Sequence, residues 1–259
     1  MLIETNGIRI NCELSGKKKA PVVVLSHSLA CSMLMWRPQL ERLEPRFRVL
    51  RFDTRGHGSS DAPAGPYTLA QMVDDTVGIL DKLGFDRVHF VGLSMGGMIA
   101  QGLALRHPER IEQMVLTDTT ARIPAEAQPA WQERIDAVHK GGMQAVAEST
   151  LERWFTPEYL KQNPPEVDEI RQQILATPIA GYFGCSAAIR RLNYLDRLSA
   201  IQTPTLIMVG ADDPATPVAA AEAMHAQIKG SKLVVIPDAA HLSNIEQAKI
   251  FNDNLIEFL

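Results

Sequence analysis

Arg87-Val88-His89-Phe90-Val91-Gly92-Leu93-Ser94-Met95-Gly96-Gly97-Met98-Ile99-Ala100 is the stretch of sequence that decides the fold. Its first residues are β-branched and aromatic, which favours a strand, and its last residues are small or apolar at helical spacing. The pentapeptide Gly92–Gly96 lies between them and must turn the chain from strand to helix. Gly92 and Gly96 lack the Cβ atoms that would collide where the two backbones approach each other. The sequence therefore predicts a tight strand–turn–helix with Ser94 at its apex.

Ser94 has the chemical setting of a nucleophile in this turn. A G-x-S-x-G turn holds its serine in a strained backbone conformation, so that the side chain points out of the turn. The N-terminus of the following helix favours negative charge beside the hydroxyl. The pentapeptide alone also occurs by chance in unrelated proteins, but here a strand signal and a helix signal flank it. We therefore expect Ser94 to be a catalytic serine.

The composition excludes several classes of protein. The chain has 259 residues, enough for one large α/β domain or for two small ones. Its formal net charge of −4 argues against nucleic acid or an anionic membrane surface as a partner. No apolar stretch reaches the roughly 18 residues that a membrane span needs, and the first residues lack the pattern of a signal peptide. We expect a cytoplasmic protein that acts on a small molecule.

The cysteines argue against both a disulfide framework and a metal site. Cys12, Cys31 and Cys185 are far apart, odd in number and without the spacing of metal ligands. No cluster of His, Cys and Asp elsewhere in the chain has ligand spacing. We therefore expect a protein of a reducing compartment, with no metal and no cofactor.

Strand and helix signals alternate along most of the chain. Runs such as Val22–Leu25 are continuously apolar, as in a strand buried on both faces, and Asn6-Gly7 marks a hairpin. The expected strands are 2–4, 8–14, 22–25, 48–52, the run before Gly92, 113–117, 204–210 and 233–236. The expected helices among them are 32 or 35 to 43, 68–83, 94–107, 218–228 and 245–259. This order predicts an α/β fold with a mostly parallel, eight-stranded sheet and helices on both faces.

The alternation is interrupted between residues 121 and 199. Helix-like pieces separated by Gly and Pro cover 129–140, 142–155, 165–176 and 179–192. A helical insertion after one strand of a parallel sheet lies over the carboxyl edge of the sheet, where ligands bind in open α/β folds. We therefore expect a core of residues 1–120 and 200–259 and a helical cap, or lid, of residues 121–199. A helical layer that only stabilises the sheet is the alternative.

A serine hydroxyl needs a base, and His241 is the best candidate for it. His241 follows a predicted strand, on the same edge of the sheet as Ser94, and is the last of seven histidines. His57 also lies in a loop on that edge, but its surroundings are rich in Gly and Ser and indicate a turn residue. We expect His241 to take the proton of Ser94.

Three aspartates could orient this base. Asp212 and Asp213 both follow a predicted strand end, and the spacing Gly210-x-x-Asp213 before a proline favours Asp213. Asp118 follows an earlier strand and stays open as an alternative, as does Asp212. The chain order Ser94, Asp213, His241 is one of the orders in which serine triads are known to occur.

A tetrahedral intermediate also needs preorganised donors for its negative oxygen. The backbone N–H of Met95 stands at the start of the helix and is the natural first donor. The second donor is expected in the loop after Val22–Leu25, and we choose Leu29.

At this point the chain resembles the α/β-hydrolase superfamily along its whole length. The resemblance rests on the Gly92–Gly96 turn, the motif Asp53-x-Arg55-Gly56-x-Gly58-x-Ser60, and the late Asp213 and His241. Within that superfamily the chain is most similar to bacterial 3-oxoadipate enol-lactonases. The segments that carry this similarity are Ser26–Ala30 with Met35-Trp36, Arg153–Pro157, Gly181–Arg190 and Ala240–Gln247.

The resemblance implies a serine hydrolase that opens 3-oxoadipate enol-lactone to 3-oxoadipate in the β-ketoadipate pathway of aromatic catabolism. This lactone carries a free carboxylate, and arginine is suited to bind it. Candidates on the cap are Arg134, Arg153, Arg190 and Arg191, of which we favour Arg190. Trp36 and Trp154 are expected to line the pocket, and a plain core role is the alternative for each.

Other functions use the same residues. A general carboxylesterase, a cofactor-free perhydrolase and a C–C bond hydrolase all share this triad, and a hydrolase-like receptor for a small molecule belongs to a different class. Dehalogenases and epoxide hydrolases need a carboxylate at the position of Ser94, which argues against them.

Overall fold

A single eight-stranded sheet organises the computed structural model, which describes residues 1–259. The strands are β1 (Leu2–Thr5), β2 (Ile8–Gly16), β3 (Val22–Ser26), β4 (Arg48–Phe52), β5 (Val88–Leu93), β6 (Ile111–Thr117), β7 (Thr205–Gly210) and β8 (Lys232–Ile236). They lie in the order β1-β2-β4-β3-β5-β6-β7-β8. The β1–β2 and β2–β4 pairs are antiparallel, and all the others are parallel. The predicted fold class is confirmed.

Helices cover both faces of this sheet. They are α1 (Arg37–Leu43), α2 (Leu69–Leu83), α3 (Met95–Arg106), α4 (Gln128–Gly141), α5 (Gln144–Trp154), α6 (Pro157–Lys161), α7 (Pro165–Ala176), α8 (Ile179–Ile189), α9 (Val218–Gln227), α10 (Ser243–Glu246) and α11 (Ala248–Phe258). None of them is long and apolar enough to cross a membrane. Most begin and end within two residues of the predicted bounds.

Three elements differ from the sequence prediction. The first expected helix begins as a 3₁₀ turn, Met33–Trp36, before α1. The short α6 was not predicted, and its N-terminus is capped by the Thr156 side chain. The final helix is divided at Gln247, whose backbone leaves the helical region at φ −122° and ψ 49°.

The central strands form the core. Every residue of β5 and of β7 is buried, and β3 is buried except for half-buried Val22. Strands covered by helices on both faces are expected to be apolar throughout. The carboxyl ends of these strands meet at one edge, so the loops that carry Ser94, Asp213 and His241 come together there.

Residues 121–199, which we call the cap segment, lie between β6 and β7 and contain α4 to α8. Helix α8 packs with its backbone directly against the loop after β4. A Cβ atom added to Gly181 would lie 1.8 Å from the carbonyl oxygen of Gly56. A side chain on either glycine would therefore collide with the backbone of the other. A hydrogen bond from Tyr67 N–H to the Gly184 carbonyl, 3.1 Å long, fixes the same helix one turn further on.

Candidate active site

The turn between β5 and α3 has the geometry that its sequence predicts. Ser94 precedes α3 with φ 54° and ψ −114°, a conformation that a residue with a side chain rarely adopts. A Cβ atom on Gly92 would lie 2.2 Å from the carbonyl oxygen of Gly96, and one on Gly96 would lie 2.1 Å from that of Ser26. The Thr119 hydroxyl donates a 2.7 Å hydrogen bond to the Ser94 carbonyl, which helps to hold the strained residue.

His241 and Asp213 are directly hydrogen-bonded. His241 Nδ1 lies 2.9 Å from Asp213 Oδ2, and both side chains are almost fully buried. Asp213 also accepts hydrogen bonds from the Thr216 hydroxyl at 2.6 Å and from the Ala215 N–H at 2.7 Å. Ser94 and His241 line one cavity without a direct hydrogen bond between them. Such bonds are often loose before substrate binds.

The pKa values of the pair move in opposite directions. Burial alone would lower the pKa of His241, but the Asp213 carboxylate raises it above its ordinary value. Burial alone would raise the pKa of Asp213, but the charge and hydrogen bond of His241 hold it below its ordinary value. Asp213 is therefore a carboxylate that orients the His241 ring and favours its protonated form.

The two alternative acids lie elsewhere. Asp212 is exposed at the surface. Asp118 is fully buried at the end of β6, where its Oδ1 accepts from Gly210 N–H at 2.8 Å and its Oδ2 lies 2.5 Å from Ser243 Oγ. Burial, with Asp213 nearby, raises the pKa of Asp118 to about 8. Asp118 therefore links the loops of the acid and of the base, and it makes no hydrogen bond to His241.

The loop after β3 presents one free amide to the cavity. Ser28 N–H donates to Met35 Sδ at 3.4 Å, and Ala30 N–H donates to His57 Nε2 at 2.9 Å. Leu29 N–H makes no hydrogen bond within the chain, and Leu29 lines the cavity. Met95 is the first residue of α3, so its N–H has no partner within that helix. The N–H groups of Leu29 and Met95 are thus both without a partner in the chain, and their role as oxyanion donors stays a prediction.

Two buried histidines support this loop: His57, which its surroundings indicated to be a turn residue, and His27. His57 is buried, and the hydrogen bond that its Nε2 accepts from Ala30 N–H holds Ala30 at φ 59°. His27 Nε2 accepts from Thr54 N–H at 2.8 Å, and its Nδ1 lies 2.7 Å from the Ser28 carbonyl oxygen. Burial, with His27 nearby, lowers the pKa of His57 to about 3, so its ring is neutral and Nε2 can accept. The Gly-rich surroundings of His57 concealed this role.

A cavity of about 540 Å³ lies between these loops and the cap segment. Most of its lining residues are apolar, and none is acidic. One part of its wall consists of Pro217, Ala219, Ala220 and Ala223 at the start of α9. Trp154 lines the cavity as predicted, with its ring centroid 6.0 Å from that of His241. No group of three or more His, Cys, Asp or Glu side chains has the arrangement of a metal site.

Two expected substrate contacts do not line this cavity. Trp36 is fully buried in the core, where its ring packs 6.3 Å from Phe251. Arg190 forms hydrogen bonds of 2.8 and 2.9 Å with the side chains of Gln128 and Gln132 on α4, away from the cavity. For Trp36 the structure agrees with the alternative, a plain core role, and Arg190 faces α4. Sequence gives the element on which a residue lies but not which neighbour its side chain faces.

The arginines in the cavity wall are Arg122, Arg134 and Arg153. Arg134 and Arg153 are half-buried, and neither forms an ion pair with a carboxylate. Burial lowers the pKa of Arg134, and burial with the charge of Arg134 lowers the pKa of Arg153. Tyr182, on α8, lies beside both. Two neighbouring cations without an anion indicate a binding site for one.

Comparison with known proteins agrees with this geometry. The sequence model of the alpha/beta hydrolase fold matches residues 21–248. The 3-oxoadipate enol-lactonase 2 of Acinetobacter baylyi is 35% identical over 245 residues, which cover 95% of this chain and 91% of that protein. The solved enol-lactonase of Burkholderia xenovorans is 38% identical with a TM-score of 0.96, covering 100% of this chain and 99% of the other. A hydrolase of Pseudomonas aeruginosa is 40% identical with a TM-score of 0.96, covering 100% and 97%.

Three features of the chain agree with the family that the comparisons indicate. They are the order of the strands, the strained serine after β5, and the positions of Asp213 and His241 after later strands. The matches extend over nearly the whole chain and include both its sheet and its cap segment. The chain belongs to the α/β-hydrolase fold family.

Proposed function

We propose that the protein is a serine hydrolase that opens 3-oxoadipate enol-lactone to 3-oxoadipate, a step of the β-ketoadipate pathway. The observation that carries this proposal is one cavity with Ser94 and His241 in one part of its wall and the unpaired Arg134 and Arg153 in another. The enol-lactone offers a carbonyl to the first pair and a carboxylate to the second. The similarity to enol-lactonases supports the same substrate.

Acyl transfer begins at Ser94. Its Oγ attacks the ring carbonyl while His241 Nε2 accepts the proton, and Asp213 stabilises the imidazolium that forms. The carbonyl oxygen becomes an oxyanion, which accepts hydrogen bonds from the N–H groups of Leu29 and Met95. Each such donor contributes about 2.7–4 kcal/mol to transition-state stabilisation in serine hydrolases.

Ring opening then releases the enol oxygen as a leaving group that remains tethered to the acyl chain. An enolate is a weak base, so its departure needs little protonation. It then takes up the proton that His241 removed from Ser94 and becomes a ketone, which leaves His241 neutral. Water, deprotonated by His241, attacks the acyl-enzyme and frees Ser94. These steps need no metal and no cofactor.

The substrate carboxylate is bound by Arg134 and Arg153 in this proposal, in place of Arg190. The two guanidiniums are half-buried and share Tyr182 as a neighbour, so a carboxylate between them gains charge-assisted hydrogen bonds in a partly dry site. Trp154 lies next to Arg153 in α5 and supplies an apolar surface beside His241.

The test compares hydrolysis of 3-oxoadipate enol-lactone and of p-nitrophenyl acetate by the wild type and by Ser94→Ala, Arg153→Ala and Arg190→Ala. The wild type should open the lactone with kcat/KM above about 10⁴ M⁻¹s⁻¹, and Ser94→Ala should be inactive. Arg153→Ala should lose about 10- to 100-fold in kcat/KM on the lactone, since a hydrogen bond to a charged group contributes about 1.5–3 kcal/mol. The rate of Arg153→Ala on the nitrophenyl ester, which has no carboxylate, should equal that of the wild type.

Arg190→Ala is the matched control, because Arg190 lies on the same cap segment but outside the cavity. It should behave as the wild type on both substrates. Cleavage of the nitrophenyl ester alone would refute the lactone assignment and keep the serine hydrolase. Failure on both substrates would favour a receptor.

A broader carboxylesterase is the second candidate, and the apolar wall at α9 favours it. The cavity volume lies in the range that binds drug-sized ligands, which are larger than a small lactone. Ala223→Phe would fill that wall and should reduce activity on p-nitrophenyl octanoate at least about 10-fold if acyl chains bind there. Ala226→Phe, on the exposed side of the same helix, is the control. Equal loss on acetate and octanoate would argue against this candidate.

A further inference from the structure

Glu246 is a buried carboxylate that joins the cap segment to the loop of His241. Its Oε1 accepts a 3.0 Å hydrogen bond from Thr156 N–H and a second bond from the Thr156 hydroxyl. Its Oε2 accepts a 2.9 Å bond from Ala240 N–H. Thr156 lies between α5 and α6, and Ala240 immediately precedes His241. One side chain thus binds two segments that are 84 residues apart in the chain.

The residue after His241 is attached to the same part of the cap segment. Leu242 N–H donates a 3.1 Å hydrogen bond to the carbonyl of Trp154, the last residue of α5. The Trp154 ring packs against the His241 ring. The backbone on both sides of His241 is therefore held by the end of α5, independently of the bond between His241 and Asp213.

We propose that Glu246 is a positioning residue, which fixes the orientation of His241 by tying its loop to the end of α5. This inference rests on the proposed role of His241 as the base. Glu246 touches neither the cavity nor the reacting atoms, so it acts through the backbone of Ala240 and not on the substrate.

A carboxylate is needed because all the groups that face it are donors. Two N–H groups and one hydroxyl point at Glu246, and the residue is only 8% exposed. A buried N–H without an acceptor costs about 1–3 kcal/mol. Glutamine keeps the volume but places an amide N–H₂ against one of the donors, so Glu246→Gln releases one end of the link.

The link also connects substrate binding to the base. Arg153 lies on α5 beside Trp154, so an anion held by Arg153 fixes the helix end that Glu246 and Leu242 bind. A misplacement of a catalytic group by about 1 Å can cost about 100-fold in rate.

The test measures p-nitrophenyl acetate hydrolysis by the wild type, Glu246→Gln, Thr156→Val and the control Glu158→Gln. Glu246→Gln should lower kcat by about 10- to 100-fold with KM unchanged within twofold, because positioning affects the transition state. Thr156→Val removes the hydroxyl that donates to Glu246 and caps α6 but keeps the Thr156 N–H donor, so it should lower kcat by less. Glu158 is an exposed residue of α6, so its variant should match the wild type.

The acid limb of the pH–rate profile distinguishes positioning from loss of stability. The charged and polar groups that face His241 are Asp213, Asp118, Thr216 and Arg153. Asp213 raises the pKa of His241, so a loosened His241 should show its inflection at lower pH in Glu246→Gln. The proposal is supported if Glu246→Gln has a lower kcat, an inflection at lower pH than the wild type, and an unchanged melting temperature.

An unchanged kcat in Glu246→Gln overturns the positioning role, as does a loss of kcat that tracks a lower melting temperature without a shift of the inflection. His241→Ala is measured beside them. A His241→Ala variant that keeps wild-type activity would overturn the role of His241 as base, and with it the role of Glu246. The two failures are thus distinguishable.

Discussion

Asp118 is a buried acid that joins two of the loops around the site. It adopts φ 42°, and its two oxygens bind the end of β7 through Gly210 and the loop of His241 through Ser243. A neutral carboxyl group can donate to Ser243 Oγ while it accepts from Gly210 N–H. A second carboxylate next to Asp213 would be repelled, so the proton on Asp118 keeps the region stable.

The stability of the protein should therefore depend on pH through Asp118. Its pKa is raised to about 8 in the folded chain, above the value of about 4 that an unfolded aspartate has. Between these values the folded state binds one more proton than the unfolded state. Stability from Asp118 is thus full below about pH 4 and is lost as pH rises to about 8.

Asp118→Asn mimics the neutral acid and should remove this dependence. Relative to the wild type, the variant should gain stability from pH 5 to pH 7, by up to about 1.4 kcal/mol for each pH unit. Urea denaturation at several pH values measures it, with the exposed Glu257→Gln as control. Parallel stability curves for Asp118→Asn and the wild type would contradict the raised pKa.

For single residues, the sequence predicts correctly those side chains whose positions follow from the order of the strands in the sheet. Asp213 and His241 could be paired in advance because both follow parallel strands that end at one edge of the sheet. Arg190 was misassigned because the end of α8 turns its side chain toward α4. The hydrogen bonds of His57 and Glu246 could not be predicted, since each depends on a backbone N–H brought to it from a distant segment.

Helix α2 is the element whose limits follow most directly from its sequence. Thr68 and Gln71 form a capping box: the Thr68 hydroxyl accepts from Gln71 N–H at 3.1 Å, and Gln71 Oε1 accepts from Thr68 N–H at 2.9 Å. Gly84 ends the helix in the left-handed conformation at φ 68°. Periodicity and caps agree, so the predicted helix differs from the observed one only at its capping residue.

Thr68→Ala should destabilise the protein by about 1 kcal/mol, because it leaves an N–H at the start of α2 without its acceptor. Activity on p-nitrophenyl acetate should not change, since α2 is remote from the cavity. Thermal denaturation measures the effect, and Gln71→Ala tests the other half of the box. A loss of activity at unchanged stability would mean that α2 influences the site directly.

Elements without such signals were predicted less well. The short α6 and the break at Gln247 depend on contacts between the cap segment and the His241 loop, where Thr156 and Glu246 meet. Local propensity does not include those contacts. The long helix predicted for residues 245–259 was therefore wrong in its first turn, although its amphipathic part, α11, lies where expected.

At the scale of the whole molecule, the cap segment and the sheet are joined at several distant points. Glu246 holds Thr156, Gly56 packs against Gly181, and Ser32 N–H donates to Gln173 Oε1 on α7 at 2.9 Å. The cap segment held in this way cannot unfold without also breaking its contacts with the rest of the chain. We therefore predict that the two parts unfold in one transition.

Tryptophan fluorescence can test this prediction. Trp131 and Trp154 lie in the cap segment, and Trp36 lies in the core. In Trp36→Phe the fluorescence reports only on the cap segment, while far-ultraviolet circular dichroism reports on the whole chain. The two midpoints in urea should coincide. A fluorescence change that precedes the dichroism change would show that the cap segment opens independently.

The contact between Gly56 and Gly181 limits the routes by which a ligand can reach the cavity. Because α8 lies backbone to backbone on the loop after β4, no passage can run between these two elements. The lining residues Pro124 and Ala130 on one side, and Pro214 and Ala219 on the other, are exposed to solvent. We therefore predict that ligands enter and leave between the start of the cap segment and α9, past the exposed Arg122.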